Sequence, residues 1–524
     1  MRSIWNSLAW KEWNEHKWKL VSILAVMWCL MVCVVVIAGL SKRRVVAESF
    51  QISVLLGGIP MAIFVGLGIA AGEQSRGTLP FLQALPVPMW RVALHKLGFA
   101  LVSLIIPILL TGLVVLAGRF LLPFLGISAD LTVPPESING QPVWSGSWFI
   151  DIAVVAALVA CSLVIWAAAC GINRKDEVSA GAVALVIMVI WWLVLVGLWV
   201  LFLKGSSGPD TARLRIIGVA SAPLGFLMLS DIADKDSFCT VLGYFAVIAV
   251  HILLSAWYVV RFGRTAEREV RSPRAAIGEL WRSDFLAPPR RFAMTAIAWK
   301  QFRESGPIIV VGLFVIIAIV ACYCSAATLA EGNLFKDVGL VYGTTATTFG
   351  FFMALVAGIG VSLYDVGPGL NTFWRSRPIQ PDVWFWTKFT TGLIVVMASI
   401  YAPIGLIAAL GDTSVKQNVS YPNVYMLPTM QIALFAAAVM VTCLVRQAVY
   451  SAILSIAVVY LGVLATIGVW RAAGFVGIVS TSRNDWREPV VMVIEIAGFI
   501  TTFFVCAVIA WLAMRNDWGR KSRY

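Results

Sequence analysis

Apolar runs long enough for one helical crossing of a ~30 Å hydrocarbon core, about 20 residues each, recur along the chain with polar interruptions between them. They predict an all-α polytopic membrane protein with about twelve transmembrane helices. The first six lie near residues 20–40, 52–71, 97–117, 151–170, 178–203 and 239–260. The second six lie near 307–328, 341–363, 389–410, 428–445, 449–469 and 490–513. Ahead of the first and seventh runs the pattern becomes that of an amphipathic helix. Ile4, Trp5, Leu8, Ala9 and Trp13 share one face, and so do Ala293, Met294, Ile297, Ala298 and Phe302. Such helices lie in the headgroup plane before the chain turns into the bilayer.

The polar segments repeat as well. Glu73, Gly77, Pro86 and Lys96 are followed 292 positions later by Asp365, Gly369, Pro378 and Lys388, and Phe81 and Phe373 match at the same offset. Ala9-Trp10-Lys11 and Glu15 recur as Ala298-Trp299-Lys300 and Glu304, now 289 positions on. Arg174, before Val178-Ser179-Ala180, matches Arg446, before Tyr450-Ser451-Ala452, and marks the second inner turn of each copy. Differences in loop length account for the changing offset. The expected organisation is therefore a first transmembrane domain over 1–260, with an interfacial helix over 1–19 and an inner loop over 73–96. A cytosolic linker over 261–291, carrying Ser272-Pro273 and Pro288-Pro289, leads to a second transmembrane domain over 292–524, with an interfacial helix over 292–305 and an inner loop over 365–388. Six spans per copy is an even number, so the copies form parallel repeats about an axis along the membrane normal.

Composition excludes a soluble domain: 60% of residues are hydrophobic and 13% charged, where soluble domains average ~45–50% apolar. The +13 net charge comes from basic residues flanking apolar spans, so membrane lipids, and not nucleic acid, are the expected partner for it. With both termini in the cytoplasm, 27 Lys and Arg fall on inner segments and 13 on outer ones, against which only Lys42, Arg43 and Arg44 stand together. That orientation suits a multi-pass protein of the inner or plasma membrane. The nine cysteines sit in or beside apolar spans without a Cys-x-x-Cys pair and read as small buried residues. The apolar run Leu20 to Leu40 exceeds a signal-peptide core of ~7–15 residues, so no cleaved leader is expected.

Candidate chemistry is sparse. Three scattered histidines, no His-Glu-x-x-His and no Gly-x-Ser-x-Gly argue against an enzyme, and no Gly-Lys dipeptide exists to form a phosphate loop. The loops 73–96 and 365–388 each combine an acid, a helix-permissive apolar stretch and a proline, which suits a short helix along the membrane surface. Glu73 and Asp365 are candidates to hold a partner through charge-assisted hydrogen bonds, Gly77 and Gly369 to allow tight turns, and Pro86 and Pro378 to stop the helix. The same residues also suit solvated turns with no partner. Within the spans, His251 and Glu495 are ionisable and read as either pathway or packing positions. Gly68-x-x-x-Gly72 permits close helix contact. The outer stretch Leu214 to Leu229, broken by Pro223, is a candidate re-entrant element.

The run Glu73-x-x-x-Gly77-Thr78-Leu79, with Leu82, Leu85-Pro86-Val87, Arg91 and Lys96, resembles the loop after the second span in ABC-2 type permeases of ATP-binding-cassette exporters. The second copy, Phe373 to Ile379 and Trp386-x-Lys388, is similar in a more divergent form, with Asp365 for Glu and Leu370 where the first copy has Thr78. The resemblance implies an amphipathic connecting helix before each six-span domain and a coupling helix in each loop. It also implies docking of a separate nucleotide-binding ATPase subunit, in two copies that carry the ATP and Mg²⁺, with no cofactor in this chain. The expected cargo is hydrophobic or amphipathic. The alternative is an ion-coupled secondary transporter of major-facilitator architecture, which shares six plus six spans in parallel repeat. The near-absence of ionisable residues within the spans weighs against it.

Overall fold

The structure, a computed structural model, describes residues 2–41, 50, 53–54, 58–75, 77–84, 86–124, 148–172, 174, 177, 180–181, 183–191, 194, 237–264, 292–331, 338–363, 365, 379–409, 421–472 and 487–516. Among these residues all regular structure is helical. The first half holds α1 (Arg2–Ser41), α2 (Ile59–Ser75), α3 (Leu79–Gln83), α4 (Met89–Phe124), α5 (Trp148–Gly171) and α6 (Ser237–Arg261). The second holds α7 (Ala293–Glu331), α8 (Val338–Leu363), α9 (Pro381–Ala409), α10 (Tyr421–Val445), α11 (Ala448–Ala472) and α12 (Arg487–Asn516). Segments 204–236, 265–291 and 366–378 lie outside the described residues. These include the candidate re-entrant stretch, most of the expected linker, and Gly369 and Pro378.

Seven described helices are long and apolar enough to cross a membrane, within α4, α5, α6, α9, α10, α11 and α12. A bent pair in α7, Ala293–Gly306 and Ile309–Ala321, makes an eighth by the same test, and Met61–Ser75 and Phe349–Leu363 are shorter apolar helices. The chain is a polytopic helical membrane protein. Its outer surface agrees: Phe245, Ile252, Leu253 and Trp257 project outward from α6, each at least half exposed, as lipid-facing side chains do.

The lead-in segments differ from the sequence expectation in one respect. Residues 1–19 are not a separate helix, because α1 continues without a break to Ser41. Nothing between Trp18 and Val21 can interrupt it, since no proline or glycine occurs there. In the second half the change of direction is present, a bend of 40° between Gly306 and Ile309 where Pro307 removes a backbone donor. On both lead-ins the aromatic face points outward, with Trp10, Trp13, Trp18, Phe292 and Phe302 exposed. The buried stripe is largely polar, with Ile297 as its apolar member on α7. Glu12, His16 and Lys19 face inward on α1, and Gln301 and Ser305 on α7.

The helices α5 and α10 lie at the centre of the two halves, each with 67% of its apolar window buried. Alanines make this possible. Ala160, Ala167 and Ala168 on α5, and Ala433 and Ala436 to Ala438 on α10, are buried and let neighbours approach closely. At Gly66 of α2 an added Cβ would lie 2.7 Å from the Val164 carbonyl oxygen and 2.8 Å from Ala167 Cβ. At Gly358 of α8 the distances are again 2.7 and 2.8 Å, now to the Phe435 oxygen and Ala438 Cβ. Those positions stand at constant offsets, 292 for the glycines and 271 for their partners. Gly66→Ala and Gly358→Ala are each expected to lower stability by about 1–3 kcal/mol through overpacking against backbone. Gly405→Ala, where a Cβ meets nothing within 4 Å, serves as the control. Unfolding temperatures in detergent distinguish them, and equal values for all three would exclude this close approach.

The halves interlock. α1 packs along α11, where the Tyr450 hydroxyl donates to the Glu15 carbonyl at 3.1 Å, and α2 also meets α11, with Val449 3.3 Å from the Cβ position of Gly68. In the reverse direction Val189, from the helical stretch 183–191, packs with Val315 and Ala318 of α7.

Candidate functional site

Where α1, the end of α2 and the start of α4 meet, charged side chains are gathered inside the protein. Lys96, about two turns into α4, is buried and places Nζ 2.6 Å from Glu73 Oε1, 2.9 Å from Glu12 Oε1 and 4.0 Å from Glu15 Oε2. Lys11 closes the cluster from the side, donating to Glu73 Oε1 at 2.9 Å and lying 3.7 Å from Glu15. The helical repeat of α1 makes this possible, because Lys11, Glu12, Glu15 and His16 are spaced by three and four residues along one side. His16 lies 3.9 Å from Glu12 and stacks on Phe99 of α4.

The loop is fastened to the same cluster. Gly77 has φ of +69°, the left-handed conformation that closes a helix C-terminus, and the Thr78 amide donates to the Glu73 carbonyl at 3.0 Å. Thr78 stands at the N-cap of α3, yet its hydroxyl does not cap that helix; it donates to the Glu73 carboxylate. Burial pushes the Glu73 carboxyl up, but the Lys96 charge and hydrogen bonds from Lys96, Thr78 and Lys11 outweigh it and hold it down at about 2. α3 buries Leu79 and Leu82 and leaves Phe81 67% exposed, and Gln83 Nε2 donates to the Gly263 carbonyl just past α6 at 2.6 Å.

The second half builds a related cluster from α7, Asp365 and α9. Lys388 is buried and lies 2.7 Å from Asp365 Oδ2 and 3.2 Å from Glu304 Oε2. Lys300 sits 3.2 Å from Asp365 Oδ1 and 3.6 Å from Glu304. Burial again pushes the acid up, and Lys388 and Lys300 outweigh it, so Asp365 is held below the usual carboxylate range. Lys11, Glu15, Glu73 and Lys96 thus have Lys300, Glu304, Asp365 and Lys388 in the same geometric roles.

The two clusters differ where the sequences do. Gln301 stands at the position of Glu12 and Ser305 at that of His16, and Gln301 Nε2 donates to Ser305 Oγ at 2.6 Å. Three carboxylates therefore face two lysines in the first cluster, and two face two in the second. Leu370 cannot replace the Thr78 hydroxyl, and Asp365 instead accepts from the Trp384 indole at 2.9 Å, with Lys300 over the Trp384 ring at 5.0 Å. Glu12 and Trp384 are the members sequence comparison misses, because neither has an identical counterpart in the other half. The pairing of Lys11 with Glu15 four residues on, repeated at Lys300 and Glu304, was the available signal.

The structure corrects the roles read for these acids. Glu73 and Asp365 do not offer free carboxylates to a partner; both are buried and ion-paired within the chain, as are Lys96 and Lys388. Spacing in a sequence carries no information on burial, and a membrane-surface loop reads as exposed. Pro86 is exposed in the bend before α4, and Arg174 is exposed after α5. Arg446 occupies the left-handed region at φ 58° between α10 and α11, its amide donating to the Thr442 carbonyl at 3.0 Å, and so forms the tight turn itself. His251 is held in the packing, with Nε2 2.5 Å from Ser162 Oγ on α5 and Nδ1 2.7 Å from the Val247 carbonyl. Glu495 is buried on α12. None of these five residues lies in either cluster.

Neither cluster contains an activated nucleophile. Each instead clamps three segments through desolvated ion pairs, which suits transmission of force between them. Comparison with models of protein families, with curated proteins and with solved structures finds no match for this chain.

Proposed function

We propose that the chain is the membrane subunit of an ATP-driven exporter of ABC-2 type, built as two parallel six-span copies and moved by a separate pair of ATPase subunits. The observation that carries this reading is the fastening of each polar loop, through one buried lysine, to both the lead-in helix and the following span. In this mechanism the ATPases bind at the cytoplasmic side on α3 and on the corresponding segment before α9. Nucleotide-driven closure presses the loops together. Because Lys96 and Lys388 resist separation from their carboxylates, a push on a loop moves the lead-in helix and the next span with it, and inward-open and outward-open states exchange population. Phe81, exposed on a short helix whose other side is buried, is the natural contact for the motor. The cargo in this reading is hydrophobic or amphipathic.

The test is affinity purification of the tagged chain in mild detergent, followed by nucleotide turnover in lipid discs. An ATPase should co-purify and lose most of its coupled turnover with Phe81→Asp, while yield and unfolding temperature stay at wild-type values. Substrate movement that persists without nucleotide and stops when the ion gradient is collapsed would instead establish the ion-coupled alternative.

A further inference from the structure

A groove of about 630 Å³ runs along the outer face of α4 from Trp90 to Val102. Its two ends differ in chemistry. At the start, Arg91 is exposed with its guanidinium 5.0 Å from the Trp90 ring centroid, and His95 follows one turn on. Further along, Leu94, Gly98 and Val102 make an apolar trough. Leu94 and Val102 are exposed, and a Cβ added at Gly98 would meet nothing within 4 Å. The strongly apolar part of α4 begins near Phe99, so the far end of the trough, at Gly98 and Val102, reaches hydrocarbon while Trp90 and Arg91 fall at the membrane surface.

A permanent cation and a ring N–H donor at headgroup depth, with a notch leading from them into the apolar layer, complement an anionic lipid from phosphate to acyl chain. We propose that this groove binds one anionic phospholipid, with its phosphate at Arg91 and His95 and a chain lying over Gly98. The second half offers no equivalent. At the same offset of 292, Val383, Thr387 and Thr390 stand for Arg91, His95 and Gly98, and Asp382 brings a negative charge where Trp90 was. Among the described residues the site therefore has no counterpart at the corresponding place on α9. Bound there, the lipid braces α4 next to Lys96 and leaves the other copy untouched. This inference rests on α4 crossing a bilayer and does not depend on the exporter reading.

The experiment is native mass spectrometry of the purified full chain titrated with phosphatidylglycerol, phosphatidylcholine or glycerol 3-phosphate. One phosphatidylglycerol should be retained per chain in preference to phosphatidylcholine, with affinity about fivefold weaker in Arg91→Ala. Gly98→Leu, which fills the notch at an exposed position, should weaken it as well without lowering the unfolding temperature. Equal retention of the two lipids, wild-type affinity in both variants, or glycerol 3-phosphate binding as tightly as the lipid would each overturn the proposal.

Discussion

Replacing Lys96 by methionine is expected to destabilise the protein by about 3–5 kcal/mol, the cost of leaving buried carboxylates without their counter-charge. Methionine preserves the length and apolar stem of lysine, so the loss reports the ammonium and not the packing. Glu12 and Glu73 both lie against Lys96 and both are buried, so neither can recover water when it goes. Lys388→Met should cost less: Glu73 and Asp365 each keep a second lysine, Lys11 at 2.9 Å and Lys300 at 3.2 Å, but only the first cluster also buries Glu12 against its lysine, where the second has the uncharged Gln301. Adding Glu12→Gln and Glu73→Gln to Lys96→Met should recover most of the loss. Membrane yield and unfolding temperature in detergent measure all of these. A Lys96→Met protein as stable as wild type would mean that the first cluster is hydrated and the clamp does not exist.

Acid stability offers the second large effect. The Glu73 carboxyl falls from an ordinary 4.5 to about 2 in the folded protein. A depressed carboxylate stabilises the fold fully above its unfolded value and loses that contribution as pH falls through its folded value, here between about 4.5 and about 2. The contribution at stake is on the order of 3 kcal/mol. The unfolding temperature should therefore show no Glu73-dependent change from neutral pH down to about 5, then fall. Asp365, shifted in the same direction, adds to the same limb. Glu73→Gln should be less stable at neutral pH and should flatten the acid limb. An acid limb of unchanged steepness in Glu73→Gln would show that Glu73 is not the titrating group.

The parts of this architecture visible in the sequence are those governed by periodicity. Runs of apolar residues located α4 to α6 and α7 to α12, and three-and-four spacing located the lead-in segments, because both signals arise from local geometry. The loop acids and lysines were found because they recur at one offset. Their role was misread because burial is set by the packing of α1 against α4, a contact between segments some 85 residues apart. Glu12 was invisible for a related reason: matching two halves selects what they share, and the second half carries the uncharged Gln301 at that position. The exchange of the Thr78 hydroxyl for the Trp384 indole was equally hidden, since the donors approach the acid from opposite ends of the loop. The continuity of α1 through Leu20 was not foreseen, because an interfacial helix and a following span look alike when no breaker separates them.

The hydrogen bond from Tyr450 to Glu15 joins positions 435 residues apart. At ~5–20 residues per second, ribosomal synthesis leaves roughly 20–90 s between the emergence of the first helix and the arrival of its neighbour α11. For that interval α1 has its partner α4 but not the neighbour that packs along its other side. Maturation of this protein therefore waits on its final quarter, and a truncated nascent chain that stops before Ala448 carries an amino terminus ready for quality-control capture.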